Sequence, residues 1–570
     1  MSLDNKIKEF HKVSDRHVLV LEANLSHVDK CELFGISEKL RKMGNELLSI
    51  MYKNYKQLIR TKKYKNLKKL YGLTKEEITK LEVKKNDKDK NRLKELKLKL
   101  KEISFALNNM QKEYNVTWNY CRNSMIMINK KYKINSIFAL TKAEDVWRSI
   151  EKLLYSDGKR VHFFKKGDLP VIRAKQIERG ITLKEEKGNL KFGISGITFK
   201  PIIKDTFEKD EVYQIINYLR NKELVELNAL REYEKGNIIS TYRPCFISIT
   251  CKEIRGKLRV YIHITLEGKA KSKRNKNGEI KHKLGIGIIG CDIGPSTIAF
   301  TSETKIGLKN LAERGKSILE NERKEKLILR KLDRSRRAMN PLNYNDDGTI
   351  KKNTKSFKKK WIKSKRYLKL ERKYKVLCRK NSINRHLSIN EDINYIRSLG
   401  NIFITESKNA KKLQKKVKKT ERQEKTTIIK DSKGNEKQVY KYKKKKRFGK
   451  SIKNRCPGYF QTGIEKKFKN TGGAYIEVPI NYKASQYDHT INDYVKKKLS
   501  DRMYKLKDGT IIQRDLYSSF LLYCIDLENR TIDKNKCNKT FNDFYKKEKA
   551  LIEYIKANKI KVLNSGINIA

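Results

Sequence analysis

The sequence predicts a multidomain α+β protein: a β-barrel-like domain interrupted by a helical unit, then a second domain built around buried strands. Three observations carry that expectation. The 570 residues exceed what one domain of ~150 residues needs. Residues 30 to about 155 read as a helical unit, with apolar residues at alternating three- and four-residue spacing over 93–110, and beyond about residue 169 the pattern gives way to short alternating runs. A polar, basic connector at 268–283 then separates these from continuous apolar runs of the kind that buried strands require.

Residues 17–21 (HVLVL) form a β-branched run of strand character. Helix follows. Thr74 and Glu77 have the spacing of a capping box, and Leu93, Leu96, Leu100, Ile103, Leu107 and Met110 mark one face of a long amphipathic helix. Its Lys-covered outer face is a candidate for phosphate contact. The runs LPVIRAKQI, GNLKFGI, GITFKPII, FISITCKEI and KLRVYIHITLE read as antiparallel strands, and residues 209–233 read as helix. The early strand rejoins this set, which places the helical unit inside a β-barrel-like domain. The expected divisions are 1–29, 30–160 and 161–283, followed by 284–570.

In the last division, residues 284–293 (LGIGIIGCDI) read as a buried strand ending in Asp-Ile-Gly, and 296–302 (STIAFTS) as a second strand. Two strongly basic helical stretches, 308–339 and about 357–381, flank a turn-rich PLNYNDDGT. Residues 399–405 (LGNIFIT) are another buried strand, with Glu406 at its end. Residues 411–455 carry 20 Lys plus Arg against 4 acids, too much charge for a core, and are expected to be mobile until they meet a polyanion. A helix at 459–468 and a strand AYIEVPI precede TIIQRDLYSSFLLY, where Asp515 opens an apolar helix.

Composition narrows the function. Lys and Arg number 135 against 65 Asp and Glu, a net charge of +70. Such a chain repels itself unless a polyanion neutralises it, so nucleic acid or an anionic membrane surface is the expected partner. No segment reaches the ~18 apolar residues of a membrane span, and the opening MSLDNKIKEFHKV lacks the apolar core of a secretory signal. A cytoplasmic protein with no membrane partner is therefore expected. With 38% hydrophobic and 9% aromatic residues the chain is too apolar for a disordered tail. The nine cysteines, at 31, 121, 245, 251, 291, 378, 456, 524 and 537, form no CxxC pair, which predicts a reduced protein without a cysteine-built zinc site.

Three acids stand in telling places: Asp292, Glu406 and Asp515, each beside an apolar run. Carboxylates within ~4 Å of one another repel by about 4 kcal/mol per pair at an effective dielectric of ~20, so a cluster of them needs cations. Hard oxygen ligands suit Mg²⁺ or Mn²⁺. Two such ions ~3.5–4 Å apart activate water and stabilise the leaving oxygen in phosphodiester cleavage. Taken singly, each acid has a more ordinary role: Asp-x-Gly makes turns, an Asp opening a helix caps it, and a Glu ending a strand faces solvent. Their order and context carry the signal.

The basic stretches suggest a different task. Arg330, Lys331, Arg334, Arg336 and Arg337 fall close together, and Trp361, Lys365, Arg366, Tyr367 and Tyr374 interleave cations with rings. Cations neutralise phosphates and aromatic faces stack on unpaired bases. The ordinary alternative is a solvated helix whose Trp361 and Tyr367 point into the core.

GCDIGPSTIAF, NIFITESKNAKKL and IQRDLYSSFLLY resemble the first, second and third RuvC motifs of the transposon-encoded TnpB proteins and of their relatives, the type V CRISPR effector nucleases. LILRKLDRSRRAMNP and WIKSKRYLKLERKYKVLCRKN resemble the basic helices that follow the first motif in TnpB proteins. The resemblance covers about residues 284–525. It implies an RNase H-like (RuvC) nuclease domain in which Asp292, Glu406 and Asp515 are the catalytic trio holding two Mg²⁺ or Mn²⁺ ions. The first half becomes a β-barrel-like wedge with an inserted helical recognition lobe. The implied function is RNA-guided DNA cleavage, with a guide RNA encoded by or near the same transposable element. The target is double-stranded DNA with a short adjacent motif read by the N-terminal half.

The chain departs from the family in two places. TnpB proteins carry two CxxC pairs before the last Asp, forming a zinc ribbon; here the insertion at about 484–512 has no cysteine, only Asp488 and His489 as candidate ligands, so no zinc is predicted. The family's Asn-Ala-Ala after the last Asp becomes Tyr-Ser-Ser, with Ser518 and Ser519 at the small positions. Two other readings stay open: a nuclease-inactive, RNA-guided DNA-binding repressor, and an RNA-binding structural factor.

Overall fold

The computed structural model describes residues 3–84, 90–156, 158–175, 178–313, 318–354, 357, 359–407, 422–430, 436–442, 449–479, 482–496 and 501–569. The chain forms two compact units, Met1–Lys271 and Ser272–Ala570, divided within the 268–283 connector. It is a mixed α/β protein, and no helix among the described residues is long and apolar enough to cross a membrane.

In the first unit α1 (Leu3–Val13) leads to β1 (Arg16–Asn24), then to five helices: α2 (His27–Leu58), α3 (Lys62–Lys84), α4 (Lys90–Glu113), α5 (Trp118–Tyr132) and α6 (Ser136–Tyr155). The strands β2 (Ile172–Ala174), β3 (Ile181–Glu186), β4 (Asn189–Ile194) and β5 (Ile197–Ile202) follow, then α7 (Thr206–Arg220), α8 (Lys222–Glu234), β6 (Pro244–Ile254) and β7 (Lys257–Glu267). All seven strands join one antiparallel sheet in the order β2-β6-β7-β1-β5-β4-β3. It curls into a half-barrel with β2 and β3 at its edges, so the expected barrel is open. Leu19, Leu21 and Ala23 of β1 point into its core while Val18 and Val20 face out, the alternation of a strand with one covered face. Arg255 and Gly256, both at positive φ, turn β6 back into β7.

One expectation is corrected here, and one strand was not expected. Thr74 starts no helix; it is buried in the interior of α3. The stripe Tyr64, Leu67, Tyr71, Thr74, Ile78 and Leu81 begins ten residues before the capping box and carries the helix through it. The strand β3 escapes the sequence pattern because its second half, Lys184 to Glu186, is charged; only Ile181 and Leu183 pack inward.

The second unit holds β8 (Ile288–Ile293), β9 (Thr297–Ser302), β10 (Ile306–Asn310), α9 (Ile318–Met339), α10 (Lys365–Arg397) and β11 (Ile402–Glu406). After these come β12 (Arg422–Lys430), β13 (Glu436–Tyr442), α11 (Gly449–Arg455), α12 (Pro457–Asn470) and β14 (Ala474–Val478). The short strands β15 (Tyr487–Asp488), β16 (Asp493–Tyr494), β17 (Met503–Lys505) and β18 (Ile511–Gln513) precede α13 (Arg514–Tyr523) and α14 (Lys534–Ala557). A five-stranded sheet runs β10-β9-β8-β11-β14: β8, β9 and β10 form an antiparallel meander, and β11 and β14 continue it parallel to β8. One face, with Ile289, Cys291, Phe300 and Phe403, packs with Ile389, Ile393 and Ile396 of α10 and Phe460, Ile464 and Phe468 of α12. The opposite face, with Ala299, Leu308, Ile404 and Val478, packs with Leu516 and Phe520 of α13 and Phe544 and Ile555 of α14.

The expected helix at 308–339 begins later, since residues 306–310 form β10; Gly307 leaves room for the Phe300 ring, whose Cζ would stand 2.3 Å from an added Cβ. The stretch 357–381 becomes helical only at Lys365, where the Ser364 hydroxyl accepts the Tyr367 N–H (3.1 Å), and it runs on to Arg397 because Ile389, Ile393 and Ile396 supply a buried face. Of the charged segment 411–455, residues 411–421, 431–435 and 443–448 lie outside the described residues. The remainder is the β12–β13 hairpin, where Ile428 and Tyr440 are exposed, and α11.

Candidate active site

Strand alternation decides which side chains of β8 and β11 share a face. Ile289, Cys291, Ile293 and Phe403 point into one core, so Gly290, Asp292, Ile404 and Glu406 lie on the other face of the sheet. The parallel register pairs Ile402 with Ile288 and Thr405 with Cys291, and one further step sets Glu406 beside Asp292. Helix α13 crosses this face in contact with β8. A Cβ on Gly290 would stand 2.2 Å from the Ser519 carbonyl oxygen and 2.3 Å from the Tyr523 amide nitrogen, so only glycine admits the helix backbone. Ser519 donates to the Leu516 carbonyl (2.7 Å) and accepts from Thr301 of β9, Oγ to Oγ, at 2.7 Å. Asp515 sits one turn before Ser519 on the same helix face, and Asp292 is the next residue beyond Gly290 on the same strand face. Small residues therefore bring the two carboxylates together.

Their charges interact. Burial first, and then the Asp292 carboxylate, pushes the Asp515 carboxyl above its ordinary range, against the pull of Arg514 and Arg502. Arg514 donates to Asp515 Oδ1 from Nη2 (3.1 Å) and Nε (3.2 Å), and Arg502 Nη1 lies 3.6 Å away. Burial lowers the Arg502 guanidinium, and Arg514 lowers it further, while Asp515 and Asp292 raise it. Glu406 Oε1 accepts the Ala484 N–H at 3.1 Å. Among the described residues no group of three or more His, Cys, Asp or Glu side chains is gathered as a metal ion requires. The donors are nonetheless carboxylate oxygens alone, which suits Mg²⁺ or Mn²⁺, and a divalent ion between Asp292 and Asp515 would relieve the repulsion that lifts Asp515.

Asp515 is not the cap of its helix. Gln513 is: its Oε1 accepts the Leu516 N–H at 2.7 Å, leaving Asp515 in the first turn. Gln513 is itself held by Glu548 of α14, whose Oε1 accepts the Gln513 N–H (2.6 Å), and by the Ser565 carbonyl, which accepts from Nε2 (3.1 Å). In the cysteine-less insertion, Asp488 and His489 are buried and engaged. His489 Nδ1 lies 2.7 Å from the Tyr517 hydroxyl, with its ring 4.3 Å from Phe541; Asp488 accepts from Thr490 (2.7 Å) and from the Lys507 N–H (3.1 Å).

The predicted cationic residues lie on α9, in the loop before α10, and at the start of α10. Arg330, Lys331, Arg334, Lys365 and Arg366 are exposed. Arg336 and Arg337 are partly spoken for: both pair with Asp333, at 2.7 and 2.8 Å. Arg336 also covers one face of Trp361 at 5.4 Å, and the edge-on ring of Tyr344 lies 5.9 Å from it. Trp361 is 41% exposed, so it does not serve the core. Sequence reasoning missed Arg502, Arg514, Gln513 and Glu548. Arg514 adjoins the third acid and was readable; Arg502 lies at a three-residue strand that leaves no periodic signal.

No protein-family model matches the chain, and no curated protein matches it.

Proposed function

We propose that the chain is an RNA-guided DNA endonuclease of the TnpB type, acting in the cytoplasm with a guide RNA from its own element. Its target would be double-stranded DNA bearing a short adjacent motif. The observation that carries this reading is that Asp292 and Glu406 lie on the sheet face that α13 covers, with Asp292 near enough to Asp515 of that helix to raise its carboxyl. The meander continued by parallel strands supports an RNase H-like domain, and the half-barrel interrupted by α2 to α6 supports a wedge with an inserted lobe.

Asp292, Glu406 and Asp515 would hold the divalent ions, which supply an activated water and a counter-charge for the leaving oxygen. Gln513 and Glu548 orient the helix that carries Asp515. Arg502 and Arg514, at the same carboxylate, are placed to hold the negative charge of a phosphate.

Two observations favour the second reading, a nuclease-inactive RNA-guided repressor: Asp515 already has two arginine partners, and no three-acid group is gathered among the described residues. One experiment decides. The protein with its co-purified RNA is incubated with guide-matched DNA and Mg²⁺. Cleavage abolished by Asp292→Ala, with binding retained, supports the nuclease. Binding without cleavage by the wild type supports the repressor, and RNA retention without DNA binding overturns both.

A further inference from the structure

The three parallel strands β8, β11 and β14 begin at the end of the sheet opposite the acids, and there the second unit collects basic side chains. Arg397 ends α10 just before β11, and only 3% of it is exposed. Its carbonyl accepts the Gly285 N–H at 2.8 Å, which fixes it against the segment entering β8. Its Nε has no hydrogen-bond partner, and no hydrogen bond or ion pair joins its guanidinium to any described residue. A guanidinium removed from water without a partner is costly, so an anion belongs beside it.

Two lysines and a histidine lie near it. Lys467 comes from α12, next to Phe468, which packs with Ile396 and Leu284 in one core. Lys273 and His282 come from the segment entering β8, where the Lys281 N–H donates to the Lys273 carbonyl at 2.8 Å. Burial pushes the Lys467 ammonium down, and Arg397 and Lys273 push it further. Burial likewise lowers His282, followed by Lys467, Lys281, Arg397 and Lys273. Among the described residues no carboxylate counters these repulsions at Lys467.

We propose that this end of the sheet is a phosphate-binding site in which Arg397, Lys467 and His282 converge on one phosphate group. Donors arriving from three separate segments suit a tetrahedral oxyanion, which can accept from several directions, better than a planar carboxylate. Phosphate is also the anion that a chain of net charge +70 meets on a nucleic acid. The group is either a free phosphate ion or one phosphodiester of a bound strand. The site does not involve the three acids, so a protein unable to cleave would still bind phosphate here.

The test uses the full chain stripped of nucleic acid, in chloride buffer of fixed ionic strength. Two probes are compared: inorganic phosphate, and a 12-nucleotide single strand without terminal phosphates. The readouts are the rate of Lys467 acylation relative to the exposed Lys466 on the same helix, and the NMR titration midpoint of His282. Bound phosphate should slow Lys467 acylation and raise the His282 midpoint. Lys467→Gln and Arg397→Gln should each weaken phosphate binding by about tenfold, while Lys466→Gln leaves it unchanged. Because Arg397 has no partner to lose, Arg397→Gln should melt no lower than the wild type without phosphate. Protection by inorganic phosphate alone assigns a free ion, and stronger protection by the strand assigns a phosphodiester. The same protection in Asp292→Ala separates this site from the nuclease reading. Protection by neither probe, or an equal effect at Lys466, overturns the proposal.

Discussion

At the scale of single residues, the candidate site depends on one side chain that is absent. Gly290 lies under α13 so closely that a methyl group would collide with backbone atoms of Ser519 and Tyr523, which cannot rotate aside as a flexible side chain could. Gly290→Ala must therefore lift the helix, and overpacking of this kind costs about 3 kcal/mol. Chemical denaturation should show that loss. Because the same helix carries Asp515, DNA cleavage should fall more than stability alone explains, with all three acids still present and RNA retention intact. An alanine variant as stable and active as the wild type would mean that α13 does not rest on β8 in solution.

At the scale of elements, α14 acts on the site without reaching it. Glu548 is buried with one oxygen accepting from Gln513 and the other unpartnered. Burial pushes its carboxyl from 4.5 up to about 8, against the hydrogen bond from the Gln513 N–H and the charge of Lys549. A folded value above the unfolded one means that the stability it confers is complete below about pH 4.5 and is lost as pH rises toward 8. Glu548→Gln keeps an acceptor for Gln513 and removes the titration. Thermal or denaturant unfolding should find variant and wild type nearly matched at pH 4.5, and the variant more stable by about 5 kcal/mol at pH 8.5. A difference independent of pH would show that Glu548 does not titrate in this range. Much at this scale was legible in the chain: β8, β9, β11 and β14 are apolar runs, and Asp292 and Glu406 draw notice because they interrupt or end two of them. What escaped has physical causes. In β3, charged residues fill half the strand; in β10, a glycine replaces the side chain that would mark the pattern; and α10 hides its buried turns behind a basic first half. Glu548 lies in a polar helix with no local cue that it is buried, since only the chain's return to Gln513 covers it.

At the scale of the whole molecule, the excess charge is not confined to one part. The first unit carries 59 basic against 34 acidic residues and the second 76 against 31, so both carry a large excess of positive charge. Ion pairs absorb part of this, as Asp333 does for Arg336 and Arg337, but Arg330, Lys331 and Arg334 on the same helix remain exposed. Each phosphate neutralised on a single strand steepens the dependence of log affinity on log salt by about 0.7. If each unit meets about five phosphates, raising salt fourfold should weaken RNA binding by roughly 10⁴-fold, and fluorescence anisotropy across a salt series measures this. Replacing Arg330, Lys331 and Arg334 together with glutamine should reduce the slope by about 2, without sequence preference, because phosphate contacts position a strand and do not read it. A wild-type slope shallower than about −2 would mean that most of the charge is never brought against a backbone. The net +70 would then reflect composition and not a binding surface.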